Sequence, residues 1–202
     1  EVAVTNGGRL QVRAGMTLKV QRKLDARGGA VVSDVGSTVE LVGENDCVLC
    51  GNLAFDSLVC RVPGKNLLCG TGENDVIAIN PAGNLTLTTV AAEDHVYLLP
   101  DAQEGTWSLA MGAGALTEIS NVAVSNSVAS GALVVANDSV DLGGNDKWAF
   151  IEPIVPGEEI VWTGLSALDP TDWTDAANWD RRRAVEETDA VCIPAGAPAY
   201  PR

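Results

Sequence analysis

Apolar and polar positions alternate with period two along residues 1 to about 150. Leu10 and Val12, Leu18 and Val20, Val39 and Leu41, Leu53 and Phe55, and Leu85 and Leu87 sit two apart. They fall in stretches opened by a Gly or Asn turn, such as GGRLQV, GMTLKV, GSTVELVG, GNLAFDSLVC and AGNLTLTTV. Period two marks a short strand with one buried face. No stretch longer than about ten residues carries a 3.6-residue period, so no long helix is predicted. Matching strands recur about every 18 to 21 residues, from Leu18 to Val39, Val39 to Leu58 and Leu58 to Ile77, a spacing suited to one coil of a solenoid. Hairpin dipeptides are nearly absent, TNGG being the exception. The expected fold is all-β: a right-handed parallel β-helix, with a hairpin-built β-sandwich as the alternative.

The 202 residues are 46% hydrophobic but only 4% aromatic, so the interior is expected to hold small Val, Leu, Ala and Cys side chains. The net charge is −14, from 27 acids against 13 bases. That argues against a nucleic-acid partner, which needs a basic footprint, and against an anionic membrane surface. No apolar run approaches the roughly 20 residues that span a bilayer. The five cysteines are Cys47, Cys50, Cys60, Cys69 and Cys192. Cys60 and Cys69 continue the apolar alternation through Leu58 and Leu67, so inward-facing thiols are expected. A disulfide, and a zinc site built from Cys47 and Cys50 with Cys60 and Cys69, are the alternatives.

Three segments follow: a strand-rich region over 1–152, a linker over 153–160 with the sequence PIVPGEEI, and a Trp-rich module with a C-terminal strand tail over 161–202. Residues 122–150 carry an NSxDxGxNxxWxF pattern through Ser127, Ser130, Ser139, Asp141, Gly144, Asn145, Trp148 and Phe150. This resembles the closing coils of β-helical repeats in large secreted bacterial surface and autotransporter-like proteins. Lys147 stands where that pattern often has a small residue. Trp162, Gly164, Trp173, Ala177, Asn178, Trp179, Asp189, Val191, Ile193 and Pro194 resemble the WTG…W…AANW…IP modules that separate such repeats. Here Ala184 and Val185 replace a usual Pro. The resemblance implies an extracellular, cell-surface structural repeat. It also implies that the IP strand runs on into the first coil of a following repeat. Trp148 and Phe150 read as a cap on the core. The opening EVAVTNGGRLQV begins as a strand already under way, so the chain is expected to be a processed subunit or one repeat cut from a tandem.

Catalytic chemistry finds little support. His95 is the single histidine; no GxSxG elbow accompanies a serine, and His95 reads as a surface or strand-end residue. Two acidic loops, one with Asp138, Asp141, Asn145 and Asp146 and one with Asp169, Asp172, Asp175 and Asp180, could offer oxygens to Ca²⁺, but match neither an EF-hand nor a Gly-rich nonapeptide. They are expected to cap turns. No enzyme activity and no cofactor are expected. The expected function is a fibre subunit that polymerises with itself head to tail. Val191, Ile193, Pro194 and Tyr200 of one tail would add to an open first coil marked by Val2, Val4 and Leu10 of the next copy. A carbohydrate-binding or adhesive module is the alternative, with Trp162, Trp173 and Trp179 as a glycan platform or, instead, a small core.

Overall fold

The computed structural model describes residues 1–90, 94–151, 159–194 and 196–202. The chain divides into two compact units, Glu1–Ile151 and Glu152–Arg202.

The first unit is all-β, and every strand pairing recorded in it is parallel. Three ladders result. The first runs from Gly8–Val12 through 29–33, 52–55 and 76–79 to Trp107–Met111 and Ser127–Gly131. The second runs from Thr17–Val20 through Thr38–Leu41, 57–60, 84–88, Leu116–Ser120 and Val134–Asn137 to Trp148–Ile151. The third runs from Val2–Ala3 through 23–26, 47–51, Asn66–Cys69, Val96–Pro100 and Val122–Val124 to Val140–Asp141. A hairpin sandwich is antiparallel, so the alternative fold is not the one observed.

The alternation places one column of side chains after another into a single core. Val31, Leu53, Ile77, Leu109 and Ala129 stand in register and are buried, as are Leu41, Cys60, Leu87 and Ile119 on the second ladder and Cys47, Leu67, Leu98 and Val124 on the third. Burying each such aliphatic side chain is worth about 1.5–3 kcal/mol.

The fold differs from expectation in three respects. Leu18 does face Val39, and Val39 faces Leu58, but Leu58 faces Leu85 rather than Ile77. The strands are not all short: Cys47–Cys60 runs through all three ladders and Val76–Thr88 through two. Their register shifts past Phe55, so Ile77 stays on the first ladder opposite Leu53. The core is also not made of small residues alone, because Phe55 and Trp107 are fully buried. Trp107 is tolerated there because its Nε1–H donates to the Ser125 carbonyl at 2.8 Å.

Two cationic side chains stitch layers that are far apart in sequence. Lys65 is fully buried, and its ammonium donates to four carbonyls: Gln21 at 3.0 Å, Val42 at 3.2 Å, Gly43 at 2.7 Å and Asn45 at 2.6 Å. Arg27 donates to Asp75 and to Asp101. Asp75 in turn accepts the Gly51 N–H at 2.7 Å. Gly51 must be glycine: its φ is +88°, and a Cβ there would fall 2.1 Å from the Ala26 carbonyl carbon.

In the second unit Glu159–Val161 pairs in parallel with Ala190–Cys192. The expected linker therefore ends earlier than 160, since Ile160 is fully buried in this unit's core. Its remaining positions, 153–158, lie outside the described residues. Trp162, Trp173 and Trp179 pack together, with ring centroids 4.9 Å apart for Trp162–Trp179 and 4.8 Å for Trp173–Trp179. Asn178, also fully buried, is the hub: it accepts the Ser166 N–H and donates to the Asp169 and Asp172 carbonyls.

Candidate assembly sites at the ends of the sheet

The two ends of the three ladders are built differently. At the starting end, Val2–Ala3, Gly8–Val12 and Thr17–Val20 each pair on one side only among the described residues. In a parallel ladder alternate residues direct N–H and C=O to opposite sides, so the outer side of these strands presents bonding groups with no partner in the ladder. Each strand also starts an apolar column: Val2 faces Leu24, Leu10 faces Val31, and Leu18 faces Val39. Val2, Leu10 and Leu18 are half-buried and packed on the core, whereas Val4 is buried. The end thus combines open backbone with three partly exposed apolar side chains.

At the other end Val140–Asp141 and Trp148–Ile151 likewise pair on one side only among the described residues, and side chains brace the last layer against the one before it. Asp141 stands on the inward column of Leu98 and Val124, but its carboxylate accepts the Gly143 N–H at 2.8 Å and the Asn145 amide. Asn145 accepts the Ser127 N–H at 3.1 Å and donates to the Val124 carbonyl at 2.8 Å. Ser139 accepts the Val122 N–H at 3.1 Å. Asn145 and Ser139 each take a backbone atom of the previous layer that no further strand would satisfy. Trp148 and Phe150 lie in the last strand of the second ladder, stacked with centroids 5.9 Å apart, half-buried and packed on the core. The Trp148 Nε1–H donates to the Ser127 hydroxyl at 3.0 Å. Gly144 has φ +72°, and a Cβ would meet the Asn126 side-chain oxygen at 2.2 Å.

The C-terminal tail departs from expectation. Its sequence predicts a strand with no partner in its own chain, yet Val191 pairs with Ile160. Beyond it, the Ala199 carbonyl accepts the Trp162 Nε1–H at 2.6 Å and the Arg202 N–H donates to the Thr171 carbonyl. Val191, Ile193 and Tyr200 are exposed and Pro194 is half-buried. The tail is folded into its own unit because the Trp core needs it: Ala197 packs on the cluster of Ile160, Trp162 and Trp179.

The other candidate residues have structural roles. Trp162 and Trp179 are 0% and 1% exposed and form a core, against which the half-buried Trp173 packs. Asp169, Asp172 and Asp175 each accept the backbone N–H two residues on, the geometry of turn caps. Cys47, Cys50, Cys60 and Cys69 are buried free thiols, and Cys192 is half-exposed. Burial pushes the Cys47 and Cys50 thiols up to about 11, and that of Cys69 higher still. His95 immediately precedes the strand Val96–Pro100 and lies edge-on to Tyr97. Asp25 is held down to about 2 by the Arg27 N–H and by Lys23. A shallow groove of about 260 Å³ lies beside Arg27, Asn52, Glu73 and Asp75, and its Arg27 is already committed to Asp75 and Asp101. The Lys65 and Arg27 clamps escape a reading of the sequence, because a lone Lys or Arg beside a Gly turn reads as solvated surface.

No protein-family model matches the chain, and neither the curated proteins nor the solved structures contain a significant match.

Proposed function

We propose that the chain is a structural module of an extracellular bacterial repeat protein. In this reading the three ladders are the faces of a right-handed parallel β-helix, and the Trp-rich unit is the spacer that follows it. The module works end to end, and its open first coil is the joint to a neighbouring copy. The supporting observation is that strands bounding the ladders at both ends pair on one side only among the described residues, with the half-buried Val2, Leu10 and Leu18 at one end and the half-buried Trp148 and Phe150 at the other. A solenoid that served alone would need both ends blunted. The contact joins unlike surfaces, so it extends without closing. The tail strand is not donated in trans, since it pairs within its own unit. A glycan-binding role is the competing reading; it predicts a change in indole fluorescence with polysaccharide, which the buried Trp162 and Trp179 do not favour.

Sedimentation velocity over a concentration series tests this. The full chain is expected to form an open series of oligomers, visible as filaments by electron microscopy. Leu18→Lys is expected to give monomers that remain folded by circular dichroism. A wild-type chain that stays monomeric at roughly millimolar concentration overturns the proposal.

A further inference from the structure

The second unit carries a run of three arginines, Arg181, Arg182 and Arg183, in a chain of net charge −14. Apart from this run, the sequence beyond Lys65 has two bases, Lys147 and Arg202. The run lies between the short 3₁₀ helix Ala176–Asn178 and the strand Ala190–Cys192. Its side chains are held differently. Arg183 is pinned, because its guanidinium donates to both carboxylate oxygens of Asp189, at 2.5 and 2.6 Å. Arg182 is exposed, and its guanidinium has no partner among the described residues.

The backbone is loosely held at the same place. Arg182 has φ +49°, a left-handed conformation that is strained for a residue with a Cβ and is relieved when the chain extends. Its N–H donates to the Trp179 carbonyl at 3.0 Å. The N–H groups of Arg183, Ala184 and Val185 have no partner among the described residues. The bases of the first unit are better secured. Arg9, Lys19, Lys23 and Arg27 lie inside ladder strands. Arg22 and Lys147, at turns, give their carbonyls to the N–H groups of Val48 and Val134. An endopeptidase draws several residues into its cleft in extended form, so it cuts where few backbone bonds oppose local opening.

We infer that the Arg182–Arg183 bond is the preferred cleavage site of this chain for an endopeptidase that reads arginine, and that the second unit stays joined after the cut. Hydrolysis adds water across that bond and leaves a carboxylate on Arg182 and an ammonium on Arg183. Both new ends are anchored close by. Upstream, the Asp180 N–H donates to the Val161 carbonyl at 3.0 Å, and the Asp180 carboxylate accepts the Val161 N–H at 2.9 Å. Downstream, Arg183 keeps Asp189, the strand Ala190–Cys192 keeps its pairing with Glu159–Val161, and the Ala199 carbonyl keeps the Trp162 Nε1–H. The cut turns the unit into a joint held by packing and hydrogen bonds alone, which parts under denaturant and not at rest. This inference is independent of the end-to-end role proposed above.

The test is limited proteolysis of the full chain by trypsin under native conditions, followed by intact-mass measurement and size-exclusion chromatography. The first product is expected to be 1–182 with 183–202, eluting together in buffer and apart in urea. Arg182→Gln is expected to slow that first cut about tenfold, because Arg183 is withheld by Asp189. Asp189→Asn frees Arg183 and is expected to add a cut after it; tryptophan emission checks that the second unit of each variant keeps its core. A first cut at any other bond, or an unchanged rate with Arg182→Gln, overturns the assignment of the site. Loss of 183–202 from the nicked protein in native buffer overturns the joint. A chain that resists trypsin altogether overturns both.

Discussion

Replacing Lys65 by Met isolates the contribution of one ammonium to the stack. Met keeps most of the aliphatic stem, so packing changes little while three N–H donors disappear. Four carbonyls on two successive layers lose their partner: Gln21 on one, and Val42, Gly43 and Asn45 on the next. An ammonium satisfies about three at a time, and a hydrogen bond to a charged group contributes about 1.5–3 kcal/mol. Removing the ion also removes the cost of having desolvated it, which is several kcal/mol before its bonds are counted. The net loss is therefore expected at about 3 kcal/mol. For a unit of this size that lowers Tm by about 6–12 °C and the urea midpoint by roughly 1.5 M at an unchanged m of about 2 kcal/mol/M. Lys19→Met is the control: the Lys19–Glu40 pair is exposed, and its loss should stay within about 0.5 kcal/mol. Chemical and thermal unfolding followed by circular dichroism supply both numbers. If Lys65→Met costs less than about 1 kcal/mol, or no more than the control, the clamp is not a stabilising element.

Among the cysteines, Cys192 is expected to react first with a thiol reagent at about pH 8, and Cys47, Cys60 and Cys69 only after denaturation; rapid native labelling of Cys60 or Cys69 contradicts the register. Asp25 has a folded pKa depressed to about 2, so its contribution is complete above the ordinary carboxylate range near 4 and fades as pH falls toward 2. Asp25→Asn is therefore expected to flatten the loss of stability between about pH 4 and 2; an unaltered acid profile counts against the role of the Arg27 N–H and Lys23. Asn178→Ala removes two donors and an acceptor from the second unit and is expected to destabilise that unit by about 3 kcal/mol, read as an early red shift in tryptophan emission while the strand signal of the first unit persists. EDTA is expected to leave Tm within about one degree, because the acidic loops commit their carboxylates to turn N–H groups; a large calcium-dependent rise overturns that assignment.

The strands of the first unit are legible in the sequence because alternation is a local property. Leu53 with Phe55 and Leu85 with Leu87 declare an inward face without knowledge of their partners. Register is only partly legible, because it depends on how many residues each corner consumes. A one-residue corner at Asp56 set against a four-residue one over residues 80–83 puts Leu58 opposite Leu85 and leaves Ile77 opposite Leu53. The closing pattern of Ser127, Ser139, Asp141 and Asn145 corresponds to a hydrogen-bonded network against the previous layer. Its one departure also has a geometric counterpart: Lys147 has φ +57°, a conformation that favours a residue without Cβ. The home partner of the tail is not legible, since the pairing of Val191 with Ile160 leaves no mark in spacing or turn residues.

The buried clamps bear on how the molecule carries load. Its ladder bonds point along the stacking direction, so a pull applied along that direction opens them one layer at a time, as a zipper opens, instead of shearing them together. If the ladders are the faces of a β-helix, as proposed, a plain stack would release one coil per step, about 20 residues and so roughly 65–70 Å of extended chain. Arg27 spans to Asp75 and Asp101, and Lys65 reaches back to Gln21. The layers between those residues cannot be peeled singly until a guanidinium or an ammonium lets go. Under tension the first unit should yield its later layers in small increments and its first half in one larger event, so that force resistance is concentrated in the half tied together by Arg27 and Lys65.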